Sequence, residues 1–211
     1  MNNLFIITTN KIKKKIIFDK SDFFVGVDAG CEYIIENNKN LTNNFLAIGD
    51  FDSITSKYQK QLKNYFQKII IKSKEKNKTD LHLALDYCNK HLNCSQIKIF
   101  ADGRREDHLI FALFLIAKKY ALKIKQKITY FCINNIFYLL PQGTHKIEKK
   151  FFYFSIFTFS SAIISCKNCK WPLKDQKISK NYLSSISNEF TSDILHVEVK
   201  KGYIFLVQSK D

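Results

Sequence analysis

Short apolar runs alternate with amphipathic segments through the first two-thirds of the chain, and the alternation then stops. Strands are expected at Leu4–Thr8, Phe23–Val27, Phe45–Ile48, Ile69–Lys72, Ile97–Phe100 and Ile128–Ile133. Between them, Tyr58, Leu62, Tyr65 and Phe66 recur on one helical face, as do Leu81, Ala84, Leu85, Cys88 and Leu92. Leu109 to Ala117 is apolar on every side, which predicts a helix buried against the sheet. Strand–helix alternation of this kind predicts an α/β fold, a mostly parallel sheet flanked by helices. After about Asn134 the pattern reads as strands and turns: Ile136–Leu140, Phe151–Phe159, Ala162–Cys166, Leu195–Val199 and Tyr203–Val207. Lys200-Lys201-Gly202 between the last two reads as a hairpin turn, Gly supplying the positive φ. The expectation is an α/β domain over 1–133, followed by a smaller all-β, sandwich-like domain over 134–211.

Carboxylates collect where the predicted strands give way to helices. Asp50 and Asp52 lie in Gly49-Asp50-Phe51-Asp52-Ser53, Asp80 follows Lys76-Asn77-Lys78-Thr79, and Asp107 lies in Arg105-Glu106-Asp107-His108. In an open α/β sheet, ligands bind in the crevice at the carboxyl ends of the strands. Two Asp spaced by one residue in extended backbone project to the same side, with Phe51 turned into the core. The plain alternative is an Asp-rich turn closed by its own side-chain hydrogen bond. Thr79 suits the N-cap of a helix starting at Asp80, which places a helix N-terminus beside Lys76 and Lys78 as a phosphate cradle. Gly103 allows a tight turn, Arg105 offers a bidentate phosphate contact, and His108 is read as structural rather than catalytic. Oxygen-only ligands point to Mg²⁺, completed by waters and substrate phosphates.

Composition sharpens this picture without redirecting it. The chain has 211 residues, 45% hydrophobic, with 34 Lys and Arg against 19 Asp and Glu. A net charge of +15 suits a polyphosphate substrate, and the lysines are spread along the chain rather than gathered on one nucleic-acid-binding arm. Six scattered cysteines read as reduced, buried thiols, and the lone Cys166-Lys167-Asn168-Cys169 lacks the second pair a zinc site wants. No apolar run reaches the roughly 20 residues of a spanning helix, so a soluble, cytoplasmic protein is expected. Neither G-x-x-x-x-G-K-[ST] nor G-x-G-x-x-G is present.

In order, Asp28-Ala29-Gly30, Gly49 to Ser53, Lys76 to Asp80, Gly103 to His108, Trp171-Pro172-Leu173 and Ser187-Asn188 resemble the motifs of the thiamine pyrophosphokinases. The resemblance covers nearly the whole chain. It departs from the family pattern at Ala29, Asn77, Phe100 and Arg104, where Gly, an acidic residue, Gly and Gly are usual. It implies ATP-dependent transfer of a pyrophosphoryl group to the hydroxyl of thiamine, giving thiamine diphosphate and AMP. It also implies Mg²⁺ on Asp50, Asp52 and Asp80, and ATP phosphate contacts from Ser53, Lys76, Thr79 and Arg105. Asp28 and Asp107 would line the same crevice, one of them orienting the attacking hydroxyl. Trp171, Ser187 and Asn188 would form the thiamine pocket of a homodimer whose sites are shared between subunits; core filling is the plain alternative for Trp171. A diphosphokinase acting on another acceptor, such as a hydroxymethyl pterin, and a non-enzymatic basic nucleic-acid module are the competing functions.

Overall fold

The computed structural model describes residues 2–12, 15–17, 19–38, 44–71, 78–121, 127–181 and 185–210. The chain forms two compact units, Met1–Ala112 with Tyr130–Ile133, and Leu113–Thr129 with Asn134–Asp211.

In the first unit β1 (Asn3–Ile7), β2 (Phe23–Val27), β3 (Asn44–Gly49), β4 (Lys68–Ile71) and β5 (Gln96–Phe100) pair in the order β5-β1-β2-β3-β4. Every one of these pairings is parallel. The chain works outward from β1 to β4 and then returns to the far side of β1, so the sheet reverses its winding between β1 and β5. Alternate residues face opposite ways. Phe5, Ile7, Phe24, Phe45 and Ala47 share one cluster with Cys31, Tyr33 and Ile34 of α1 (Gly30–Asn37). The buried Leu4, Ile6, Val25, Leu46 and Ile48 occupy the alternate positions, and α4 (Asp80–His91) packs against β2 and β3.

Several expectations from the chain are revised here. Tyr58 to Phe66 is not one amphipathic helix but two short turns, α2 (Ser56–Gln59) and α3 (Leu62–Tyr65). The helix α5 (Glu106–Tyr120) is not buried all round: Ala112, Leu113 and Ile116 are buried, whereas Ile110, Phe111 and Phe114 are exposed. Phe100 packs inward, its ring stacked 4.7 Å from Phe131 of β6 (Lys127–Phe131).

The second unit is antiparallel. β7 (Asn135–Glu148) and β12 (Ile194–Ser209) run side by side over their full lengths, and β12 pairs on its other edge first with β9 (Ser161–Lys167) and then with β8 (Tyr153–Phe157). β10 (Leu173–Ser179) extends β9, and β11 (Asn188–Glu189) pairs with β8. The hairpin expected at Lys200-Lys201-Gly202 does not form. The register shifts between Val199 and Tyr203, so these residues bulge within one long strand. Gly202 sits at φ 78°, where a Cβ would lie 2.2 Å from the Ser161 carbonyl oxygen. The positive φ therefore bends β12 instead of reversing it.

Glycine is required just as strictly at Gly30, where a Cβ would lie 1.7 Å from the Ile7 carbonyl oxygen. Its neighbour Ala29 has ordinary right-handed angles, φ −53° and ψ −19°, so this replacement of the family's usual glycine is free of strain. Gly30→Ala should cost more than about 3 kcal/mol, and Ala29→Gly no more than about 1 kcal/mol, both read by urea unfolding; equal effects would contradict the close approach.

Candidate active site

The carboxyl ends of β1, β2, β3 and β5 and the start of α4 open onto a cleft of about 1130 Å³ within the first unit. Thr8 to Lys11 follow β1, Asp28 follows β2, Asp52 and Ser53 follow β3, and Gly103 to Arg105 follow β5. Thr79 and Asp80 enter it from the start of α4, and Asp107 and His108 from α5. This is the switch-point crevice that the strand order predicts.

The aspartates reach the cleft through unusual backbone. Asp28 has φ 45° and donates its amide to the Ile48 carbonyl at 3.2 Å. Its Oδ1 accepts the amide of Phe51 at 3.2 Å. That carboxylate lies over Gly49, where a Cβ would meet Oδ1 at 1.9 Å. Phe51 has φ 59° and is buried, so its ring anchors the loop from below. The expected extended Asp50-Phe51-Asp52 geometry is thus replaced by a turn, in which the Asp52 amide donates to Asp50 Oδ1 at 3.2 Å. Left-handed Phe51 breaks the alternation on which the same-side argument rested. Asp50 does not line the cleft directly, but its charge reaches Asp28.

Burial and the neighbouring charge of Asp80, with a smaller contribution from Asp50, push the Asp28 carboxyl up to about 7; the Phe51 amide opposes the shift. A side-chain hydrogen bond joins Asp28 to Asp80. Asp80 opens α4, capped by Thr79, whose hydroxyl accepts the His82 amide at 3.2 Å. Among the described residues no three His, Cys, Asp or Glu side chains are grouped closely enough to hold a metal by themselves.

The cations are more committed than the sequence suggested. Arg105 donates to both oxygens of Asp107, at 3.2 and 2.5 Å, and this pairing holds the exposed Asp107 carboxyl below its usual range. Arg104 turns onto Asp102, with Nε to Oδ2 at 3.0 Å. Gly103, at φ 70° and with a Cβ position 2.9 Å from Cys132, makes this turn possible. Lys78 pairs with Asp86 at 3.0 Å. Lys76 lies outside the described residues. Thr8, Thr9, Asn10, Lys11 and Asp102 were not anticipated; the end of β1, the strand at the winding reversal, is the signal that marks the first four.

In the second unit Trp171 is 52% exposed, which excludes core filling. Its backbone is clamped by the buried Asn188, whose Oδ1 accepts the Trp171 amide at 3.2 Å and whose Nδ2 donates to the Trp171 carbonyl at 2.8 Å. Asn188 therefore sets the Trp171 loop. The neighbouring Ser187, exposed at φ 55°, donates its amide to Ser155 Oγ at 3.0 Å. Lys170 lies over the Trp171 ring at 4.8 Å and pairs with Glu189 at 2.8 Å. Beneath this loop the Cys166 and Cys169 sulfurs are 3.6 Å apart, unbridged and buried.

The family model described as Thiamin pyrophosphokinase, catalytic domain, matches residues 15–129, and the one described as Thiamin pyrophosphokinase, vitamin B1 binding domain, matches residues 144–204. The chain belongs to the thiamin pyrophosphokinase family. It is 29% identical over 198 residues to the thiamine pyrophosphokinase of Bacillus subtilis strain 168, a match covering 92% of this chain and 90% of that protein. The crystal structure of thiamine pyrophosphokinase from Bacillus subtilis superposes with a TM-score of 0.81 at 25% identity, covering 100% of this chain and 99% of that one. A thiamin pyrophosphokinase family protein from Enterococcus faecalis gives 0.79 at 25% identity, with both chains covered in full. As a member of the thiamin pyrophosphokinase family, the chain is an enzyme, and its catalytic-domain match contains the aspartates Asp28, Asp50, Asp52, Asp80 and Asp107.

The raised Asp28 carboxyl has a consequence for stability. A carboxyl that binds its proton more tightly when folded stabilises the protein at low pH and loses that contribution as pH rises through the folded value. Without divalent metal, stability should fall between about pH 4 and 7. Asp28→Asn should remove that slope and gain about 1–2 kcal/mol at pH 8 after allowance for solvent screening, with little change at pH 4. Thermal melts in a chelator check this; parallel pH profiles for the two proteins would refute it.

Proposed function

We propose that this enzyme transfers the pyrophosphoryl group of ATP to the hydroxyl of thiamine, producing thiamine diphosphate and AMP. The observation that carries the reading is the clustering of Asp28, Asp50 and Asp80 around the carboxyl ends of β2 and β3, in a chain whose two parts match the family's catalytic and vitamin B1 binding domains. We assign ATP and metal binding to residues 1–133, and thiamine binding and dimerisation to 134–211. The enzyme is a homodimer with active sites shared between subunits, and six free cysteines suit a cytoplasmic setting.

Carboxylates that repel one another are a fitting donor set for Mg²⁺, which needs only one or two of them and takes its remaining ligands from water and phosphate. One or two of Asp50, Asp52 and Asp80 would hold it, with Asp28 beside them; the ion would supply charge neutralisation on the phosphate oxygens. Ser53 and the Thr79-capped start of α4 receive the phosphates, with Lys76 and Arg105 as their cations. Because the pair formed by Arg105 with Asp107 is exposed, phosphate competes with it at little cost. The hydroxyl oxygen attacks the β-phosphorus in line. A new oxygen–phosphorus bond forms, the bond from the β-phosphorus to the oxygen bridging to the α-phosphate breaks, and AMP leaves with that oxygen. Asp28 or Asp107 orients the hydroxyl, and its proton is released to water. The exposed Trp171 face receives the cationic thiamine rings.

Incubation with ATP, Mg²⁺ and thiamine should release AMP rather than ADP, and Asp52→Asn should lower turnover at least about a hundredfold with an unchanged melting temperature. ADP release, or near-normal turnover by the variant, would overturn the assignment. Trp171→Ala should raise the KM for thiamine about tenfold and that for ATP less than about twofold; equal losses, or a large fall in stability, would restore a packing role.

A further inference from the structure

Three Lys or Arg side chains line the cleft among the described residues: Lys11, Arg104 and Arg105. Two of them already face carboxylates, Arg104 on Asp102 and Arg105 on Asp107. Lys11 has no carboxylate partner among the described residues, and its charge is uncommitted. It projects from the turn after β1, and this turn precedes residues 15–129, the span matched by the family's catalytic domain.

The turn is held from both sides. The Lys11 amide donates to Thr9 Oγ1 at 3.1 Å. Asn10 Nδ2 donates to Glu32 Oε2 at 2.6 Å, and Glu32 Oε1 accepts the Thr55 amide at 2.7 Å. Glu32 is 4% exposed, and these bonds keep its carboxyl ionised against burial. Thr55 stands two residues after the Asp50–Ser53 loop. One buried carboxylate thus ties the Lys11 turn to the segment that carries the aspartates, and both line the same cleft.

We propose that Lys11, on the β1 turn, is a binding residue for the polyphosphate tail of the nucleotide, and that Glu32 is the positioning residue that aims it. The assignment rests on the nucleotide reading of the cleft. A polyphosphate entering a cleft walled by Asp28, Asp52 and Asp80 meets repulsion, and paired arginines offset it only after giving up their own carboxylates. Lys11 has no such bond to break, and its ammonium presents three donors on a flexible stem.

The test uses the full chain and the variants Lys11→Met, Lys11→Arg and Glu32→Ala. Steady-state kinetics would vary ATP and thiamine separately, and calorimetry would follow a non-hydrolysable ATP analogue. Lys11→Met should raise the KM for ATP and weaken analogue binding about tenfold, leaving the KM for thiamine and the melting temperature unchanged; Lys11→Arg should recover most of the loss. Glu32→Ala should raise the KM for ATP, and adding Lys11→Met to it should cost much less than Lys11→Met alone. Changes of less than about twofold in Lys11→Met, or full additivity with Glu32→Ala, would overturn the proposal. If the wild type releases no AMP, the proposed function fails, while analogue binding by wild type against Lys11→Met still decides the role of Lys11; an analogue that binds neither overturns it.

Discussion

Gathering Asp28, Asp50 and Asp80 at one end of a parallel sheet costs electrostatic free energy, and the surrounding backbone is shaped to sustain that cost. Gly49 has no side chain because the Asp28 carboxylate occupies the space where a Cβ would stand. Phe51 adopts a left-handed conformation that few non-glycine residues tolerate, and its buried ring keeps the loop in place. Strain of this kind persists only where the surrounding packing over-determines it. The cluster lowers its own repulsion in one of two ways: Asp28 takes a proton near neutrality, or a cation enters among the acids. Either route changes the charge state of the cleft, and the aspartates carry that change together.

The parallel half was legible because its strands are buried on both faces and read as continuous apolar runs. The helix α1 escaped notice because Glu32, a buried carboxylate, interrupts its apolar face; only tertiary hydrogen bonds to Asn10 and Thr55 make that position acceptable. β10 was missed for the opposite reason. Its segment Leu173–Ser179 is polar, with Ile178 its single fully buried residue, and its pairing to β9 sets its conformation. Gly202 was read correctly as a positive-φ residue and wrongly as a chain reversal. A glycine at such an angle makes either a turn or a bulge, and the long partner strand β7 decides for the bulge.

Within the site, the acids were legible and their geometry was not. Acidic residues at strand ends are scarce enough to notice, but the side to which Asp50 and Asp52 point depends on the φ of Phe51, which no spacing rule contains. Thr8, Thr9 and Asn10 form no motif at all, and they matter because β1 lies where the sheet reverses its winding. The Arg104 substitution shows how a departure from a family pattern is absorbed: the cation turns onto Asp102.

Trp171 and Asn188 are joined by hydrogen bonds, the first half exposed and the second buried. A half-exposed indole on a free loop would lose much of its motion on meeting a ligand, and that loss would weaken binding. Here Asn188, buried and bonded to both the amide and the carbonyl of Trp171, orders the backbone when the chain folds. The ring is then presented to solvent with its direction already chosen. Such an arrangement brings two motifs that lie 17 residues apart in sequence into direct contact. The two side chains do unlike work: the Asn188 amide bonds to backbone and holds the loop, and the indole is left half exposed.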